Sequence, residues 1–349
     1  VSACSKRKVE RECTLNLLLI KSFNPMKKIL FRNLYLLPLI IVCLSAGSGC
    51  NEVKKERPVN APTPAAPPEI KNEPQSALRD KIEQITREAQ GRVGVSAALL
   101  ETGESFAFNE DGHFPMQSVY KFPIALAVLK QIEQGNLNLE QKIRIEKSDL
   151  APPKLRSPIR DRYPQGTELS LSETLKYMVS DSDGTACDVL LKTIGGAETA
   201  TKYLRDLGVG EIVVATTEKE MAEDDSAQYR NWASPKATND LLRLLHEGRA
   251  LSESHRALLL KLMTETPTSA KRIKGLLPAG TIAAHKTGTS GTVNGFTAAT
   301  NDVGLITLPD GKHLAISVFV SDSTADEATR EAVIAKITRA IWDEFVKTK

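Results

Sequence analysis

Cysteine is almost missing from the body of this chain. Four of the five cysteines, Cys4, Cys13, Cys43 and Cys50, fall in the first fifty residues, and Cys187 stands alone after them. No internal disulfide can staple that body, so a buried core must hold it together. Cys187 itself sits among apolar helix residues and reads as part of that core. Histidine is scarce as well: His113, His246, His255, His285 and His313 are scattered, with no H-E-x-x-H or H-x-H-x-D spacing. That argues against a metal-dependent hydrolase, and each histidine reads as solvated or packed. No metal or organic cofactor is expected. Basic charge is scarce where it would matter, because residues 1–57 carry 11 Lys/Arg against 4 Asp/Glu, leaving 35 against 39 in the rest. The overall +3 therefore misleads, and nucleic acid is not an expected partner. Internal repeats are absent too.

The apolar run from Leu34 to Ala46 is too short and wrongly flanked for a spanning helix. Preceded by Met26-Lys27-Lys28, it reads as an export signal, so residues 26–50 form a signal segment and 1–25 an upstream extension that is not part of the natural chain. Cys50, after Leu44-Ser45-Ala46-Gly47-Ser48-Gly49, is a candidate lipid-attachment site, although Gly47 stands where a larger aliphatic residue is usual. The expected location is the periplasm, either free or anchored through Cys50. Six prolines (58, 62, 64, 67, 68 and 74) among small and charged residues make 51–75 a tether.

From residue 76 the pattern becomes that of a folded domain. Ser76 can cap a helix carrying Leu78, Ile82, Ile85 and Ala89 on one stripe. Alternation at Val93, Val95, Ala97 and Leu99, a turn at Thr102-Gly103, then Phe106 and Phe108 predict a hairpin. Ser172 is read as the start of another helix, Thr174 to Ile194 as helical with a break at 180–184, and Ser234-Pro235 as a helix start. Residues 208–232 lack periodicity and are acidic, and a loop of that length inside a domain is usually functional. Its run Glu223 to Asp225 reads as a solvated face, and Trp232 and Trp342 as packing residues. Strands are expected at 281–287, 295–300, 303–308 and 313–320, followed by a helix from about Asp326 with Val333, Ile337, Ile341 and Phe345 on one face. The fold class is α+β. An antiparallel sheet flanked by terminal helices (about 76–115 and 266–349) joins an all-helical lobe (about 116–265), with a site between them.

The chemistry-bearing stretch is Met116 to Leu129, an almost wholly apolar helix that carries Ser118 and Lys121 three residues apart, hence on one face. Burial should strip Lys121 of water and push it toward the neutral amine, able to take the proton of Ser118. A capping serine with an outward lysine would give the same letters. Two further motifs follow in order, Ser182-Asp183-Gly184 and Lys286-Thr287-Gly288-Thr289-Ser290-Gly291.

S-x-x-K, S-D-G and K-T-G in that order resemble the penicillin-recognising serine enzymes. With Glu218 ahead of Trp232, the body resembles a class A serine β-lactamase, and Tyr229 to Trp232 with Leu276 to Gly280 resemble its extended-spectrum branch. The resemblance implies Ser118 as nucleophile, Lys121 or a water held by Glu218 as base, and Ser182 as proton donor to the leaving nitrogen. Backbone N–H groups of Ser118 and Thr289 would form the oxyanion hole, and Lys286 would attract the substrate carboxylate. Thr287, Gly288, Thr289, Ser290 and Gly184 would border the substrate. Arg272, fourteen residues before Lys286, is the candidate second positive charge, since 281–320 contains no arginine. The implied activity is opening and hydrolysis of penicillins and cephalosporins by a monomer.

Three positions depart from the family pattern. Gly184 stands for Asn, Ala222 for an Asn that helps place the hydrolytic water, and Lys219 for a proline after the base, so a rearranged loop is expected there. The alternatives are a penicillin-binding protein or DD-peptidase, which stays acylated, and a non-catalytic envelope domain that only binds β-lactam or peptidoglycan.

Overall fold

The computed structural model describes residues 73–268 and 270–347. The upstream extension, the signal segment with Cys50, and the tether up to residue 72 lie outside the described residues. A first helix, α1 (Glu73–Glu88), leads to the hairpin β1 (Arg92–Leu99) and β2 (Ser105–Phe108), the short β3 (Phe114–Pro115), and a 3-10 turn at Gln117–Tyr120 that runs into α2 (Lys121–Glu133). A second hairpin, β4 (Lys142–Glu146) and β5 (Gly166–Ser170), encloses α3 (Pro158–Arg162). Then come α4 (Leu171–Val179), α5 (Gly184–Thr193), α6 (Ala197–Asp206), β6 (Ile212–Val213), α7 (Glu218–Glu223), β7 (Trp232–Ala233), α8 (Pro235–His246) and α9 (Glu253–Thr264). The chain closes with β8 (Ala283–Thr289), β9 (Thr292–Val293), β10 (Phe296–Thr307), β11 (His313–Ser323) and α10 (Glu327–Lys347). Among the described residues no helix is long and apolar enough to cross a membrane.

The main sheet is antiparallel, ordered β2-β1-β11-β10-β8, with β9 on β10. Its inner strands are apolar on both faces because both faces are covered. Along β11 the alternation of a strand sorts Leu314, Ile316, Val318 and Val320 into one core and Ala315 and Phe319 into the other. The first core is completed by Ile82 and Ile85 of α1 and by Val333, Ile337, Ile341 and Phe345 of α10, as the helical spacing predicts. The second is built around α2, whose residues Lys121 to Leu129 are all buried. A helix sealed on every side by α4, α5, α6 and α9 cannot shift, so its first turn is a rigid mount.

Several boundaries differ from the sequence reading. The first helix starts at Glu73, inside the span read as tether. The cap of α4 is Ser170, not Ser172, because Ser170 and Glu173 form a reciprocal capping box. The two strands expected at 295–300 and 303–308 are one, β10. The gap between them falls on the polar pair Asn301-Asp302, but both are fully buried within the strand. Asn301 donates to the carbonyls of Pro115 (2.8 Å) and Met116 (3.1 Å), and Asp302 accepts from the Ile273 N–H (3.1 Å) and pairs with His285 (3.0 Å). Burial of polar groups is tolerated where each finds a partner.

Candidate active site

The turn before α2 is set by close backbone contact. Gln117 adopts a left-handed conformation (φ 46°) at the start of the 3-10 turn that carries Ser118. Gly288 of β8 packs so tightly there that a Cβ would stand 2.3 Å from the Met116 carbonyl oxygen. Asn301 holds the same carbonyl from β10. Ser118 is thus fixed between a buried helix and the sheet.

Lys121 Nζ donates to Ser118 Oγ (2.9 Å) and also to Glu218 Oε1, in a pair buried to 1% and 6% side-chain exposure. Burial is the largest single influence on Lys121 and opposes its ammonium, but the groups around it, Glu218 foremost, together outweigh it and hold Lys121 above its ordinary value. The expectation of a neutral resting amine is therefore corrected: the neighbouring groups, taken together, outweigh desolvation. Across the cleft, Lys286 Nζ donates to Ser182 Oγ (2.8 Å), and Ser182 is itself left-handed (φ 59°). Burial, reinforced by repulsion from Lys121, pushes Lys286 down to about 7.

A cavity of about 510 Å³ opens over these groups, lined by Ser118, Lys121, Ser182, Glu218, Thr289 and Ser290 of the expected residues. Lys286, at 1% exposure, lies behind Ser182 rather than on the wall. Thr287 is turned to Thr268 (3.2 Å), Gly288 faces the Met116 turn, and Gly184 begins α5 beneath Glu218, where an added Cβ would meet Glu218 Cγ at an ordinary 3.6 Å. Ser290 Oγ accepts from the Ala299 N–H (2.9 Å), so part of its capacity is used on β10.

Arg272 does not supply an open positive charge. It is 1% exposed, ion-paired with Glu331 (3.2 Å), and donates to the Gly288 and Asn301 carbonyls and to Thr289 Oγ1 (2.7 Å). Its charge is neutralised behind the strand and reaches the cavity only through Thr289. Besides Lys121, the cations that line the cavity are Lys154 and Arg156, which sequence reasoning missed because they lie in a proline-rich loop without a motif. Lys154 pairs with Asp225 (3.5 Å), and Arg156 Nε donates to the Asp181 carbonyl (2.7 Å).

The acidic loop is ordered around Glu218. Glu220, its neighbour in type, spends its carboxylate capping α7 through Thr216 and Thr217. The residue that positions Glu218, also missed, is Asp188 of α5: its two oxygens accept the N–H groups of Glu218 (2.7 Å) and Lys219 (3.0 Å). These are first-turn donors of α7 that no helical carbonyl can reach. Burial, and repulsion from Glu218, raise Asp188 to about 6. No peptide bond among the described residues is cis, and Lys219 points outward to the Ser148 carbonyl. Asp188→Ala should leave both N–H groups unpaired and let the Glu218 carboxylate wander. Steady-state kinetics should show kcat down at least about tenfold with a smaller change in KM, since each unpaired buried donor costs about 1–3 kcal/mol.

Serine, shared lysine and facing carboxylate on this α+β frame are the groups a serine acyl-transfer enzyme needs. Residues 77–345 match the model of the Beta-lactamase enzyme family. The chain belongs to that family, in its class A branch. It is 45% identical to the β-lactamase VEB-1 of Pseudomonas aeruginosa over 76% of this chain and 89% of that protein. It is 42% identical to the extended-spectrum β-lactamase PER-1 of the same organism over 77% and 88%. Among solved structures, a β-lactamase of Chitinophaga pinensis superimposes with a TM-score of 0.75 at 49% identity, over 76% of this chain and 98% of that one. The TLA-3 extended-spectrum β-lactamase does so with 0.76 at 44%, over 78% and 100%. The chain is a β-lactamase that works through an acyl-serine.

Proposed function

We propose that Ser118 Oγ attacks the lactam carbonyl of penicillins and cephalosporins, and that Glu218 directs the water that releases the product. The observation that carries this reading is Lys121 Nζ bridging Ser118 Oγ and the buried Glu218 carboxylate. Passing the lysine proton to Glu218 leaves an amine within hydrogen-bond reach of the hydroxyl, which it deprotonates as the C–O bond forms. The developing oxyanion meets the N–H of Ser118, in the first turn of a helical segment, and that of Thr289. As the C–N bond breaks, the ring nitrogen takes a proton through Ser182, which Lys286 supports. The ring nitrogen's proton is the one Lys121 drew from Ser118, relayed by Ser182, and Glu218 then returns the first proton to Lys121 and is a carboxylate again. In the second half a water gives its proton to Glu218 and attacks the ester, and Glu218 passes that proton to the departing Ser118 oxygen.

Lys286, with Arg156 and Lys154 at the mouth, attracts the substrate carboxylate. Because Lys286 titrates near 7, the free enzyme loses that charge as pH rises. A pH series of kcat/KM for a penicillin should therefore fall on the alkaline side, beginning near neutrality, while kcat at saturation falls later because the bound carboxylate restores the charge. A flat profile to pH 9 would exclude Lys286 as the titrating anchor. The export segment and Cys50 support a periplasmic location, and lipid attachment at Cys50 is tested by metabolic labelling with a fatty acid. Hydrolysis itself is tested with a chromogenic cephalosporin, where the absence of turnover would leave only a covalent trap.

A further inference from the structure

His246 and His313, far apart in sequence and without a motif, meet on the surface with Glu101. His246 ends α8, His313 begins β11, and Glu101 lies in the β1–β2 turn. The sequence, which reads each histidine as solvated or packed, gives no sign of this meeting.

We propose that Glu101, His246 and His313 form a divalent transition-metal site of the zinc type, separate from the catalytic cavity. His313 Nδ1 lies 2.8 Å and His246 Nε2 3.8 Å from Glu101 Oε1, and one ligand atom from each residue falls within 4.8 Å of the others. A tetrahedral zinc with bonds of about 2.0–2.1 Å needs donor atoms about 3.3 Å apart, between the two observed separations. Two imidazoles and one carboxylate are the donor set that borderline ions favour. The three side chains are 28–36% exposed, so a metal can enter and keep water as its fourth ligand.

The carboxylate is already aimed. Glu101 Oε2 accepts the His313 backbone N–H (2.9 Å), which leaves Oε1 toward the two rings. Such an outer contact fixes a ligand before the metal arrives. His246 stands at the C-terminal end of α8, where the helix dipole favours a cation. Of the flanking charges, Arg256 opposes and Glu247 favours a cation. The site is remote from Ser118: His313 pairs with Thr307 of β10, whereas Thr289 pairs with Thr300, seven residues or roughly 23 Å along the strand. A bound metal would staple three distant segments without touching the chemistry.

Titration calorimetry of the tag-free protein with Zn²⁺, beside His246→Ala, His313→Ala and Glu101→Gln, tests this. The expected result is one zinc per chain, with Kd at least about 10- to 100-fold weaker in each variant and cephalosporin hydrolysis unchanged. At zinc a hundredfold above Kd, Tm should rise by about 5 °C or more in the unaltered protein only. Co²⁺ should give ligand-field absorption that His246→Ala abolishes. No zinc uptake, or uptake and Tm shift that survive in His246→Ala and Glu101→Gln alike, would overturn the site. Glu101→Gln keeps the shape of the side chain, so it answers even if a histidine variant fails to fold.

Discussion

Glu218→Gln should acylate readily and then stall. A chromogenic cephalosporin added to this variant should give a burst of about one equivalent per active site, followed by turnover reduced about 10²- to 10⁴-fold, the usual contribution of a positioned general base. The reason is geometric. Glu218 is the carboxylate that the fold carries into the cleft, at 5% exposure, while Glu220 is consumed in capping α7. Glutamine is neutral and cannot take the proton of a hydrolytic water, and it also frees Lys121 from the carboxylate that holds it charged. Acylation should therefore continue through a more basic-competent amine while deacylation fails. Equal loss in the burst and in the steady state would mean that Glu218 serves the first step as heavily as the second.

Gly288→Ala should be the most damaging change outside the reacting groups. The added Cβ would stand 2.3 Å from the Met116 carbonyl oxygen and 3.2 Å from Val119 N, both backbone atoms. Strand and turn must separate, at a cost of about 1–3 kcal/mol for overpacking, seen as a drop of several degrees in Tm. The larger consequence is catalytic. Separation moves the Ser118 turn away from Thr289, the two sides of the proposed oxyanion hole, and a displacement of about 1 Å costs about 10²-fold in rate. Expected, then, is a folded protein with kcat/KM down about a hundredfold. Gly288 takes no positive φ, so the demand there is for space, not for backbone freedom.

Much of this was legible in the letters, and for stated physical reasons. Ser118 and Lys121 could be paired because helical spacing is local, and the covering helix α10 because its apolar stripe is unbroken. Lys219, which replaces a proline, suggested a rearranged loop, but nothing in the motif pointed to Asp188, because the partnership crosses from α5 to α7 through backbone N–H groups. The gap left between the strands expected at 295–300 and 303–308 falls on Asn301-Asp302, whose polarity is at home in a strand only because both side chains find buried partners. Arg272 failed for a similar reason: a charge was counted, but Glu331, which cancels it, comes from a helix 59 residues later. Lys154 and Arg156 reached the cavity from a loop with no periodicity to place it. Lys121 was expected neutral because burial is visible in an apolar run, whereas the carboxylate foremost in reversing its effect lies 97 residues away.

The central claim is that one hydroxyl, Ser118, carries the acyl group and one carboxylate, Glu218, removes it. Intact-mass spectrometry of Glu218→Gln after brief mixing with a penicillin, followed by peptide mapping, tests both halves together. The account predicts a gain of one whole penicillin on the peptide that contains Ser118, persisting for minutes, while the unaltered protein returns to its own mass as the drug is consumed. An adduct on any other residue, or a Glu218→Gln protein that clears its adduct as fast as the unaltered one, would contradict it.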